Sequence, residues 1–507
     1  MAKRTFGNGL TARLLFWSFK MLGIIIWQTL VLLAKVSWWT GKKIVQHPRS
    51  SVTASLLGSA VYLVGWEILA GLVGLMVLGS STWMAADRET FDRFLGDWLA
   101  AWGRRWWSYR RTWDRVMVHC GLAVDVDDER YIPALRKIKH SRYWDRLVVE
   151  MPVGQEVADI RMAAERVRHA FEALRITVTE IEPAGVELGL MRRDPFKHEV
   201  VPAADMPAAT ADIDWKALPV GLTEYCAPWT ISLTGGHTAV CGTSGAGKAS
   251  IGWNLLRAIA PAIADGTALL HFIDPKRMEL RQARRLVATH VPIDEVLDDR
   301  RRYVRHVRDE RSSYVCGPEE TLAMLRGLVE AMQAAAELAG ERGERDHEPS
   351  TSTPLNVIVI DELAPLLEYW PRTIRDKIME LLGLLLTQGR ALGYLVVGEI
   401  QEPTKDVFKI RDLFQRRIAL RLPTEAHTDA ALTEHAVDRG AKCHEIPESL
   451  PGVAYELLQG ATAATRNRAG HVTDEDIAAL VEYVDQLRLA AEVAAVDART
   501  EDKAVAA

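Results

Sequence analysis

The stretch HTAVCGTSGAGKASIGWNLLRAIA, His237 to Ala260, decides the fold. An apolar strand comes first, then Gly242-Thr243-Ser244-Gly245-Ala246-Gly247-Lys248, then an amphipathic helix beginning near Ala249. Strand, glycine-rich loop and helix in that order are the context a Walker A motif requires. The glycines let backbone N–H groups turn inward around phosphate oxygens, the helix N-terminus adds its dipole, and Lys248 places a cation on the outer phosphates. The pattern departs from G-x-x-x-x-G-K-[ST] at its last position, where Ala249 replaces the hydroxyl residue that ligates magnesium. Ser250 comes one residue later, so either Ser250 or a water fills that coordination position, or hydrolysis is weakened.

A second motif, LNVIVIDELAPLLEY, spans Leu355 to Tyr369. Its first six residues are apolar but for Asn356 and read as a buried parallel strand. They end in Asp361-Glu362, the Walker B pattern, in which Asp361 holds the Mg²⁺ shell and Glu362 orients or deprotonates the attacking water. Paired with Lys248, the two acids are specific, because all three reach the carboxyl edge of one parallel sheet. ATP and Mg²⁺ are therefore the expected cofactors.

At 507 residues the chain is long enough for two or three domains. The five cysteines show no metal-ligand spacing and read as buried thiols, with neither a disulfide nor structural zinc expected. A net charge of -5 excludes a chain that is basic throughout, so nucleic-acid contact must come from local patches.

Composition shifts along the chain. Eleven of the sixteen tryptophans lie between Trp17 and Trp113, a density that suits a membrane interface. Leu14 to Ala34 and Leu56 to Leu78 are two apolar runs, each long enough as a helix to cross the ~30 Å bilayer core. Residues 1–86 thus read as a membrane anchor of two transmembrane helices, a multi-pass hairpin with both termini and the downstream domain on the cytoplasmic side. Residues 87–130 read as a juxtamembrane helix in which Arg104, Arg105, Arg110, Arg111 and Arg115 alternate with tryptophans. That mixture suits a helix lying on anionic lipid, with DNA contact as the rival reading.

Residues 131–200 read as a small β-α-β-β module, with strands at Arg146–Met151 and within Ile176–Met191 and a helix over Gln155–Leu174. Residues 201–214 read as a linker and 215–487 as the motor. Within the motor, Arg300, Arg301, Arg302, Arg305, Arg308 and Arg311 have helical spacing; they line a DNA pore or form a solvated helix balanced by nearby acids. Glu341 to Thr353 is expected to be a mobile loop, and residues 488–507 a disordered tail.

With these pieces in place, residues 140 to 487 resemble the FtsK/SpoIIIE family of DNA translocases, especially its plasmid-transfer members from mycelial actinobacteria. The matching segments are LPVGLTE (Leu218 to Glu224), FIDPKRMEL (Phe272 to Leu280), IVIDEL, GRALGYLVVGEIQEP (Gly389 to Pro403), QRRIALRLPT and AGHVTDEDIAALVEY. Lys248-Ala249-Ser250 is similar to a Lys-Gly-Ser variant of the transfer subgroup. The resemblance implies an α/β fold: a RecA-like P-loop ATPase with a parallel β-sheet core, preceded by the small module and the transmembrane hairpin. It also implies a homo-hexamer around double-stranded DNA, in conjugative plasmid transfer or chromosome segregation. By position it makes Gln401 the γ-phosphate sensor and either Arg390 or Arg417 an arginine acting in trans. Glu399 and Ile400 stand where the family has Ala-Thr, which weakens the sensor assignment. A protein-secretion motor and a weakly hydrolysing ATP-binding scaffold are the alternatives.

Overall fold

The computed structural model describes residues 66–505, apart from 127–128, 183–184, 198–199, 293–303, 309–311, 344–345 and 459. Residues up to Ala100 form one unit and those from Ala101 onward a second. The first expected transmembrane run, Leu14 to Ala34, lies outside the described residues, as does the start of the second. Helix α1 (Trp66–Ala86) carries the remainder of the second and exposes Ile68, Leu72, Val73, Leu75, Met76, Val77 and Leu78. Among the described residues, no helix is long and apolar enough to cross a membrane.

In the second unit, α2 (Arg111–His119) continues a π-helical turn at Arg104–Arg110. Part of this juxtamembrane segment packs inward. Tyr109, Trp113 and Met117 are buried in the core of the small module, against Phe171 and Val149 among others. The opposite side keeps Trp102, Trp106 and Trp107 exposed, with the guanidinium groups of Arg110 and Arg111 over the Trp106 and Trp107 rings. Only one face of the segment remains for an outside surface.

After a short hairpin, β1 (Val124–Val126) and β2 (Glu129–Tyr131), the module forms a four-stranded antiparallel sheet. Its strands β3 (Ala134–His140), β4 (Trp144–Glu150), β5 (Arg175–Glu182) and β6 (Gly185–Met191) take the order β3-β4-β6-β5. Helix α3 (Val157–Ala170) crosses between β4 and β5, and the Asp159 carboxylate caps it by accepting from the Glu156 N–H. Strand β3 was missed because ALRKIKH is mostly polar and only partly covered.

The main sheet has ten strands in the order β13-β10-β14-β15-β9-β16-β17-β18-β7-β8. They are β7 (Leu218–Thr223), β8 (Pro228–Ile231), β9 (Thr238–Cys241), β10 (Ala268–Ile273), β13 (Ser313–Val315), β14 (Leu355–Ile360), β15 (Tyr394–Ile400), β16 (Arg416–Ala419), β17 (Val453–Glu456) and β18 (Thr465–Ala469). From β13 to β16 all pairs are parallel; from β17 onward they are antiparallel. Strands β10, β14 and β15 are buried at every residue, which explains why each is apolar but for one residue, His271, Asn356 and Glu399 respectively. Helices α4 (Ala249–Ala258) and α7 (Asp474–Val505) pack on one face of the sheet; α5 (Pro318–Arg342) and α6 (Arg372–Gln388) pack on the other. The chain is an α/β protein with a large mixed sheet.

Three further expectations are corrected. The arginine-rich segment is not helical where it is described: β11 (Ala288–Pro292) pairs antiparallel with β12 (Val304–Arg308). Residues after Leu487 continue α7 to Val505 instead of forming a disordered tail. Finally, the segment 201–214 does not run free. The Ala204 N–H donates to Asn254 Oδ1 (2.6 Å), the Ala204 carbonyl accepts from Arg257 (2.8 Å), and Ile213 enters the main core. The module is likewise fastened to the sheet, through a two-pronged Arg466–Asp194 ion pair (2.9 and 3.0 Å) and the Trp144 indole donating to the Glu224 carbonyl (2.8 Å).

Candidate nucleotide site

Parallel pairing puts the carboxyl ends of β9, β10, β14 and β15 along one edge, and four chain segments deliver polar groups there. The loop after β9 turns at Gly245 (φ +72°) and Gly247 (φ +92°), in the left-handed region that glycine tolerates. A Cβ on Gly247 would stand 2.5 Å from the Gly452 nitrogen, so this glycine is required twice over. The Gly452 N–H donates to the Ala246 carbonyl (2.8 Å), bracing the loop from the far side. Thr243 is held by the Arg421 carbonyl, which accepts from its N–H (3.0 Å) and its hydroxyl (3.2 Å).

Lys248 ends this loop and is 7% exposed. Its ammonium donates to the carbonyls of Gly242 (2.9 Å) and Thr243 (3.4 Å), wrapping back over the loop it serves. Ala249 and Ser250 open α4, so Ser250 sits in the first helical turn, one position beyond the ordinary hydroxyl.

Asp361 and Glu362 lie immediately after β14, and both are buried. Asp361 extends the ladder by donating its N–H to the Ile273 carbonyl (3.0 Å). Burial, then the nearby Asp274 charge, push its carboxyl up to about 6 despite the opposing Lys276. Its Oδ2 is buried with no hydrogen-bond partner among the described residues. An unsatisfied buried carboxylate oxygen beside a phosphate loop is a costly arrangement that a divalent cation relieves, so the residues fit Mg²⁺. Cation ligation needs the ionised carboxylate. Protonation below about pH 6 would therefore compete with Mg²⁺, and Mg²⁺-dependent affinity for a non-hydrolysed ATP analogue should fall toward tenfold per pH unit from pH 6 to 5, while staying flat between pH 7 and 8. Calorimetric titrations across that range, with a Mg²⁺-free control, check this; a flat response at pH 5 would remove Asp361 from the cation.

Glu362 accepts on Oε1 from the N–H groups of Gln401 (3.2 Å) and Ala364 (3.4 Å), and on Oε2 from Lys276 (3.1 Å). Gln401 thus meets the Walker B acid through its backbone. Arg390 and Arg417 stand apart from the loop. Arg390 is exposed in the turn that precedes β15, at the amino edge of the sheet. Arg417, in register with Ala239 of β9, pairs with Asp412 (3.0 Å).

Four groups were missed from the sequence. Arg421 pairs with Glu448 (2.9 Å) and donates to the Ser244 carbonyl (3.3 Å). Asp274 accepts from the Tyr314 hydroxyl (2.6 Å) and from the Arg277 N–H (2.7 Å). Lys276 is the third. Glu399, buried on β15, has its carboxyl pushed well above the ordinary range by burial, although Lys248 opposes this. One signal was available for Glu399: it is an acid inside the otherwise apolar strand YLVVGEI.

Residues 97–192 match the family model described as the actinomycete conjugal transfer protein N-terminal domain. The chain is similar to proteins described as conjugal transfer proteins and as FtsK DNA translocases. Protein Tra of Streptomyces lividans is 27% identical over 45% of this chain and 36% of its own length. Transfer protein TraSA of Streptomyces ambofaciens is 26% identical over 71% of this chain and 87% of its own. DNA translocase FtsK of Corynebacterium efficiens is 27% identical over 53% and 27%, respectively. The chain therefore spans about a third of Tra and about a quarter of that FtsK. Among solved structures, the monomer form of the pCW3 conjugation coupling protein TcpA with ATPγS aligns with 74% of this chain and 98% of its own, at 16% identity and a TM-score of 0.43.

Proposed function

We propose that the chain is a membrane-anchored, ATP-driven motor that moves double-stranded DNA in conjugative plasmid transfer. One observation carries the reading: the phosphate loop and the Asp361-Glu362 pair meet at one sheet edge, in a chain that also bears a conjugal-transfer N-terminal domain. In this reading the motor is RecA-like. Lys248 binds the outer phosphates, Asp361 and Ser250 hold Mg²⁺, Glu362 prepares the attacking water, and Gln401 reports on the γ-phosphate through its contact with Glu362. The protein works as a homo-hexamer, and Arg390 is the better candidate for the arginine supplied in trans, because Arg417 is engaged by Asp412. Residues 1–86 hold the motor at the cytoplasmic face of the cell membrane. The exposed apolar residues of α1 and the exposed Trp102, Trp106 and Trp107 support that placement.

ATP turnover should rise at least about threefold on adding duplex DNA of any sequence, and duplex affinity should fall steeply with salt, at a log–log slope near 0.9 per phosphate contacted. Phosphate-release rates and binding titrations on unrelated duplexes, with single strands for comparison, make the test. Turnover indifferent to duplex at low salt would overturn the DNA-motor reading.

A further inference from the structure

Lys276, two residues beyond Asp274, is the one contact of Glu362 that the proposed hydrolysis does not explain. Glu362 is 4% exposed, and its Oε1 is fixed by two backbone N–H groups. Oε2 would be the oxygen left to take a proton from water. Instead it lies 3.1 Å from the Lys276 ammonium, in an ion pair whose lysine side chain is 38% exposed and whose glutamate side chain is 5% exposed. A cation at that distance occupies the direction from which water would be bound. The geometry is that of a restrained base.

We propose that Lys276 is a clamp: a positioning residue that holds Glu362 away from the attacking water until duplex DNA engages the ATP-loaded motor. Lys276 stands among four acids, Asp274, Glu279, Asp361 and Glu362. Its ammonium rides on a flexible, partly solvated stem, so with a triphosphate bound it has a second anion within the site to which it can turn when DNA engages the motor. Once Lys276 turns to the phosphate, Oε2 is released, while the Gln401 and Ala364 N–H groups keep Oε1 in place. Release is then a change of one contact. Because Gln401 follows β15 directly, a displacement of that strand end would also reach Glu362 through the same hydrogen bond. The clamp rests on the ATPase reading above and adds to it a device against idle hydrolysis.

The test uses the full chain in detergent, with Lys276→Met, Lys276→Gln and Lys276→Arg, and measures ATP turnover with and without duplex DNA. Both neutral variants should raise DNA-independent kcat about threefold or more and bring the DNA-stimulation ratio toward one, with KM for ATP within about twofold. Lys276→Arg, which keeps the cation, should retain the parent's ratio. A kcat that falls in both conditions, or an unchanged ratio, overturns the clamp. So does loss of ATP-analogue binding in both neutral variants, since Lys276 would then simply hold the acids together. A parent and variants that are all without turnover remove the ATPase reading itself, whereas an active parent with an unchanged ratio removes only the clamp.

Discussion

Replacing Lys248 with alanine lowers ATP turnover at least a hundredfold while the chain stays folded. The ammonium is buried and donates to the carbonyls of Gly242 and Thr243, and among the described residues no carboxylate accepts from it. The same position is where the outer phosphates of a nucleotide would concentrate negative charge. Removing one preorganised charge or donor from such a site costs on the order of 10²–10³ in kcat. The loop itself does not depend on the side chain, because Gly452 and Arg421 brace it through the main chain. Asp361→Ala should act with similar size by removing the cation's anchor. Phosphate release together with circular dichroism checks both variants; turnover within tenfold of the parent in Lys248→Ala would mean the loop is not the hydrolytic site.

The second large effect is on stability and lies far from the nucleotide. Asp145 on β4 is completely buried and accepts from Arg104 (2.7 and 3.2 Å), Tyr109 (2.7 Å) and Arg192 (3.0 Å), with His140 at 2.8 Å. Burial alone would raise its carboxyl; the hydrogen bonds from His140, Arg104 and Tyr109 outweigh it and hold the group well below the ordinary range. Asp145→Ala would leave two arginines and a buried phenol around an empty centre. Breaking a buried pair by removing one partner costs about 3–5 kcal/mol. The loss should appear as a lower urea midpoint and as faster amide exchange in β4 and β6, with Asp145→Asn intermediate. A change below about 1 kcal/mol would mean water replaces the carboxylate freely.

The same cluster marks where reading the sequence stopped. The phosphate loop was legible because its signal is local: glycines that permit positive φ, a lysine, and the switch from a strand to a helix all fall within a dozen residues. The Asp361-Glu362 pair was legible for the same reason, an apolar buried strand followed by two acids. Strand β3 and the hairpin of β11 and β12 were not, since partly polar strands lack the clean alternation that separates them from loops or charged helices.

What the sequence by itself determined is the α/β character of the motor, the loop that can hold phosphate, and the acids that can hold a cation. Each follows from backbone geometry and residue type over short spans. Only the tertiary structure decided that Lys276 meets Glu362 across 86 positions, that Arg421 meets Ser244 across 177, and that Tyr109 belongs to the core of the small module. Pairs this distant carry no periodic trace along the chain. They come from the packing of whole strands and helices, which brings together side chains whose attraction matters only after water has been excluded between them.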